Sequence, residues 1–152
     1  MKIVVVFDGS DDGLEGLNAA AAMLRPGGPH AITAALVGWP PRHSPLWDRA
    51  FSQRQILDDL HRAMAEVAAT EFERLKKIFE PVGSVQVEYL EGDPPAEIVA
   101  LIDRLKPELF VAGLTRGANS ESVTASAFAI LRRTSVPAFL TFGKPVGFEH
   151  AP

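Results

Sequence analysis

The 152-residue chain contains no cysteine, which excludes disulfides, thiol catalysis and zinc-thiolate sites together. An excess of positive charge is missing too. The net charge is -4 and the pI about 5.5, so the basic footprint of a nucleic-acid binder is absent. No basic run could hold a membrane surface, and no segment reaches the roughly 18 consecutive apolar residues of a membrane span. The opening MKIVVVFDG carries one Lys and an apolar run, but the run is too short for a signal peptide and has no small-residue cleavage site. A cytoplasmic protein is therefore expected. Internal repeats, low-complexity tracts and interdomain linkers are lacking as well. With 47% hydrophobic and 22% charged residues, a chain of this length makes one ordinary domain around one core.

What is present is organised around Glu108 to Phe142, ELFVAGLTRGANSESVTASAFAILRRTSVPAFLTF. Its order is apolar strand, Gly-punctuated polar loop, amphipathic helix, Pro-marked turn and second apolar strand. The run Leu109 to Ala112 stops at Gly113, as a strand covered on both faces would. Ligands of open parallel sheets sit beyond the carboxyl ends of the strands, so the loop Leu114 to Ser120 lies where a binding site belongs.

The rest of the chain repeats that alternation. Lys2 to Phe7 is an apolar, β-branched run suited to a central parallel strand, ending at Asp8-Gly9-Ser10. Asp11 or Asp12 caps a helix with Leu17, Ala20, Ala21 and Leu24 at helical spacing, and Arg25 to Pro29 stops it. Ala31 to Gly38 reads as the second strand. The three prolines of Trp39 to Pro45 make a loop. From Leu46 to Phe79 the pattern is helical, with Leu57, Leu60, Met64, Val67, Ala68, Phe72, Leu75 and Phe79 as its apolar stripe and a break expected near Phe51 to Gln53. Ser84 to Leu90 alternates as a strand nearer an edge. Pro94 or Pro95 then opens a helix with Ile98, Leu101, Ile102 and Leu105 as its buried stripe. Pro137 to Phe142 is the last strand. The reading is a single doubly wound α/β domain over residues 1–143, a five-stranded parallel sheet flanked by about four helices, with a loosely docked tail over 144–152.

Three stretches, IVVVFDGSDDGLEGLNAA, EGDPPAEIVALIDRLKPELFVAG and VPAFLTF, together resemble the universal stress protein family over nearly the whole chain. The resemblance implies a sheet of the adenine-nucleotide α-hydrolase type, usually in a homodimer whose final strands pair. Some members bind ATP and some do not. Those that do carry Gly-x2-Gly-x9-Gly-Ser/Thr after the fourth strand, where glycines admit the phosphates to the backbone and successive N–H groups point at the anion. Here Gly113 matches the first glycine, Gly117 serves as the second if one residue is inserted, and Arg116 stands beside it. Thr124-Ala125 or Ser126-Ala127 occupies the place of the Gly-Ser pair, so the phosphate loop is degenerate.

The resemblance gives Asp8 a contact to ribose or adenine and Val37 a backbone contact to adenine. Against this, Asp8 also suits a turn with Gly9 and Ser10, and Val37 suits the core. Arg116, with Thr115, Ser120, Ser122, Thr124 and Ser126 nearby, suits a phosphate. Asn119 or Ser120 suits a helix cap, and Glu121 competes with any anion for the helix end. His30, His43, His61 and His150 are scattered and read as surface residues, so no metal or acid–base constellation is expected. Ser10 and Ser126 lack a nucleophile elbow. Asp58 and Asp59, or Glu71 and Glu73, read as solvated helix-face pairs. Trp39, Trp47 and Phe51 either line a lid or pack the long helix.

Two functions stand out. One is a non-enzymatic stress-response dimer, paired through Pro137 to Phe142 and acting on an unidentified protein partner, with ATP bound weakly or not at all. The other is an ATP- or AMP-binding switch, with Mg and at most slow hydrolysis, built on Asp8, Gly113, Arg116, Gly117 and Ser126. A flavodoxin-like fold holding another small anion is a third. The fold alone names no ligand.

Overall fold

The computed structural model describes residues 1–7, 11–38, 54–114 and 120–143. Strand β1 (Lys2–Phe7) is its centre. Ile3, Val4 and Val5 are fully buried, the condition of a strand covered on both faces. Val5 lies opposite Ala34 of β2 (His30–Gly38) on one side and Val111 of β4 (Leu109–Leu114) on the other. Beyond these lie β3 (Gly83–Glu91), paired with β2, and β5 (Ala138–Phe142), paired with β4. All pairings are parallel and the order is β3-β2-β1-β4-β5.

Successive strand residues point to opposite faces, so the core divides into two layers. Ile3, Val5, Phe7 and Val111 pack under α1 (Asp11–Leu24) and α2 (Arg54–Phe79). Val4, Phe110, Ala112 and Leu114 pack under α3 (Pro94–Leu105) and α4 (Ser120–Arg133). The doubly wound three-layer arrangement expected from the sequence is thus the one observed. A short 3₁₀ turn, Arg25–Gly27, follows α1.

Local chemistry explains the element ends. The Asp93 carboxylate accepts from the Ala96 N–H at 3.1 Å, Pro94 and Pro95 fill the first turn of α3, and Lys106 closes the helix in the left-handed conformation. Arg104 of α3 donates to Glu88 of β3 at 2.6 Å across the sheet margin, in a largely exposed pair. In β3, Val85, Val87 and Tyr89 face the core while Ser84 and Gln86 are exposed, as its alternation predicted for an edge strand.

Several expectations need correction. Strand β4 does not stop at Gly113: it continues through Leu114, which is buried and pairs with Phe142, because Leu114 still has core to fill. Val67 is 62% exposed. The buried stripe of α2 runs Ala68, Phe72, Leu75 and Phe79, and Val67 lies about 100° of helix rotation from Ala68. His30 is not a surface residue. It is buried, with Nε2 donating to the Leu24 carbonyl at 3.0 Å and Nδ1 3.1 Å from the Met1 amino group. The anticipated break near Phe51 to Gln53, the proline loop with Trp39, Trp47 and Phe51, His43, and the tail with His150 lie outside the described residues.

The two-layer core predicts a contrast between Phe110 and Val67. Phe110→Ala should cost about 3–5 kcal/mol and, at about 2–4 °C per kcal/mol, lower the melting midpoint by roughly ten degrees. Val67→Ala should move it by no more than a degree or two, about the effect of an ordinary surface substitution. A scanning thermal melt of both variants checks this.

Candidate functional site at the carboxyl ends of the central strands

Strand register defines where the site lies. Tyr89, Leu36, Phe7, Gly113 and Thr141 are successive neighbours across the five strands and mark one level near their carboxyl ends. The direction in which the chain adds strands reverses between β1 and β4, and a crevice opens beyond the strands at such a point. Phe7 and Gly113 are the facing residues of β1 and β4 at that point. Helix α1 starts at Asp11, four residues past Phe7, and α4 starts at Ser120, so two helix N-termini, each the positive end of its dipole, belong to this end of the sheet.

The candidate residues divide accordingly. Gly113 is at the mouth, and Val37 is near the end of β2, opposite Leu90 and one position past the Leu36 level. Ser126 is the seventh residue of α4, beyond the first four N–H groups that a helix leaves unpaired. Asp8, Arg116 and Gly117 lie outside the described residues. The structure therefore brings Val37 and Gly113 to one end of the sheet, with Ser126 nearly two helical turns from the α4 N-terminus.

Gly113 has a packing role. A Cβ built there would stand 2.6 Å from the Gly13 carbonyl oxygen and 2.6 Å from Leu17 Cγ. Helix α1 occupies the side-chain space of residue 113, so the glycine admits a helix to the sheet. Helix glycines cost roughly 1 kcal/mol each relative to alanine. Gly13 and Gly16, three residues apart and both buried, were therefore a legible signal of close packing that reasoning from the loop alone passed over.

The electrostatics around α1 are mild. Asp11 is almost fully exposed, and Arg74 of α2 stands 3.6 Å from its Oδ1, a surface pair worth no more than about 1 kcal/mol. Arg74 also meets Glu71 at 3.2 Å, and Lys76 meets Glu73 at 3.3 Å. Among the described residues no cluster of His, Asp or Glu is arranged to hold a metal ion. None of the described helices is long and apolar enough to cross a membrane.

An open, doubly wound parallel sheet with its mouth between strands one and four defines a class of α/β ligand-binding domains. Within that class, the sequence pattern of the universal stress protein family matches residues 1–140. The chain belongs to that family. Among solved structures it is similar to the universal stress protein UspA from Lactobacillus plantarum, with a TM-score of 0.64 and 18% identity, covering 93% of this chain and 97% of that one. It is also similar to the Archaeoglobus fulgidus universal stress protein in complex with dAMP, with a TM-score of 0.57 and 18% identity over 93% and 97% of the two chains. A universal stress protein in complex with cAMP gives 0.59 at 15% identity, covering 92% and 94%. At these identities the likeness is one of fold. No curated protein matches the chain.

Close packing at residue 113 predicts that Gly113→Ala, though it adds one methyl, forces α1 from its seat and costs about 1–3 kcal/mol. Gly27→Ala meets only the His30 ring, at 3.5 Å, and should be neutral to within about 0.5 kcal/mol. Urea denaturation of both variants tests the difference.

Proposed function

We propose that the protein is a non-enzymatic stress-response protein that binds an adenosine monophosphate at the mouth between β1 and β4, grips additional phosphates weakly, and self-associates through β5. The observation that carries the reading is the register of Phe7 beside Gly113 at the point where strand order reverses, in a chain whose family includes proteins solved with dAMP and cAMP. Asp8 follows Phe7 directly and holds the ribose hydroxyls or adenine through its carboxylate. The Val37 backbone meets the adenine edge. Arg116, with Gly117, neutralises one phosphate by charge-assisted hydrogen bonds, and Ser126 is at most a peripheral contact.

The weak grip on further phosphates follows from the sequence. One cation stands between Gly113 and Ser126, the second glycine is displaced by one residue, and the Gly-Ser pair is replaced by Thr124-Ala125 or Ser126-Ala127. A triphosphate with Mg would need more donors than this loop carries. The charge of -4 adds a general repulsion of polyanions.

Self-association is supported by β5. It is the outer strand on its side of the sheet, and an apolar edge invites pairing. Ala138 and Phe142 are exposed and Leu140 is half-buried, giving a second copy an apolar ridge to cover. Isologous pairing of two such edges makes a closed dimer.

Thermal melting tests the ligand. AMP at about a hundred times its dissociation constant should add roughly 2.7 kcal/mol, a rise of several degrees. ATP with Mg should give no larger rise, and Asp8→Ala should abolish the response. A melt unmoved by AMP contradicts the reading. A rise much larger with ATP and lost in Arg116→Ala would favour the ATP switch. Sedimentation tests the dimer: the natural chain should run as a dimer and Phe142→Glu as a monomer.

A further inference from the structure

Helix α1 touches the last strand as closely as it touches β4. A Cβ built on Gly16 would stand 2.8 Å from Thr141 Oγ1, 3.0 Å from the Thr141 carbonyl carbon and 3.1 Å from the Phe142 nitrogen. Thr141 is buried and its hydroxyl donates to the Ala112 carbonyl at 3.2 Å, so the hydroxyl cannot turn aside without breaking that bond. Gly13 over Gly113 and Gly16 over Thr141 are thus two contacts, one helical turn apart, on one level of the sheet. That level includes Phe7, the last residue before Asp8.

We propose that Gly16 and Thr141 are positioning residues for the adenosine monophosphate: their contact sets the height of the first turns of α1 above the ends of β1 and β4, and so the width of the mouth. The inference rests on the nucleotide reading above. The far half of α1 is anchored independently, since Ala20 and Ala21 are buried and the Leu24 carbonyl accepts from His30 Nε2 at 3.0 Å. A methyl group on residue 16 therefore tilts the helix about its anchored end and displaces the turns at the mouth most. A misplacement of about 1 Å in a catalytic constellation can cost about a hundredfold, and the same sensitivity to geometry applies to the hydrogen bonds that hold a bound nucleotide.

Calorimetric titration with AMP, on variants first shown to be folded by thermal melting, provides the test. Gly16→Ala should weaken AMP binding by about tenfold or more. Adding Thr141→Ala to it removes the nearest opposing atom, Oγ1, while the backbone at 3.0 and 3.1 Å stays, and should recover part of the loss. Met23→Ala, at a residue 68% exposed on the same helix, should bind as the natural chain does. Thr141→Val presses on Gly16 from the strand side and should weaken AMP several-fold, which keeps the test available if Gly16→Ala does not fold. Unchanged affinity in Gly16→Ala or in Thr141→Val overturns the positioning role, as does a double variant no better than Gly16→Ala. If the natural chain gives no binding heat with AMP, the nucleotide reading falls and this inference falls with it, a result visible before any variant is made.

Discussion

The constraint on which the rest depends is that β1 must be covered on both faces and both edges. Ile3 and Val5 require one apolar layer, Val4 the other, and the strand itself requires a neighbour on each side. Parallel neighbours can be reached only by crossovers, and crossovers place helices over the faces. With helices α1 and α2 on one face and α3 and α4 on the other, every strand runs the same way. The carboxyl ends of all five strands then lie at one end of the sheet, and strand order reverses there beside β1, the place where open parallel sheets bind ligands. The location of the candidate site is a consequence of burying Val4, Val5 and their neighbours at the start of the chain.

Seating α1 on the sheet is the second requirement. Helix and strands meet with no side chain between them at Gly13 and Gly113, and at Gly16 and Thr141. The interior is otherwise almost wholly apolar. His30 and Thr141 are the buried polar residues among those described, and each has hydrogen-bond partners. No buried side-chain polar atom among the described residues is left without one. The ion pairs lie at the surface, where they contribute little, so the fold is held by packing and by the parallel ladder.

Much of this was legible in the sequence because periodicity and punctuation report burial directly. The unbroken run of β1, the alternation of β3 and the Pro94-Pro95 start of α3 each found their structural counterpart, and the alternation of strands and helices led to the doubly wound sheet. The misreadings share a physical cause, which is that a residue type does not state its neighbours. Gly113 resembles a strand terminator until α1 is seen filling its side-chain space. Val67 satisfies a three-or-four spacing counted from Met64 yet falls off the stripe that begins at Ala68. His30 is polar in a loop-like context but has a carbonyl and an amino group waiting for it. The close seat of α1 left a trace in the paired glycines, and its partner Thr141 left none, since a threonine in a strand is ordinary.

Whether the mouth between β1 and β4 holds an adenosine monophosphate can be read from backbone amide shifts in an NMR titration with AMP. Saturable shifts are expected at the carboxyl end of the sheet alone, around Phe7 to Gly13, Val37 and Gly113 to Ser120, with the amino end around His30 and Lys106 silent. Shifts centred on that amino end, or none at millimolar AMP, would contradict it.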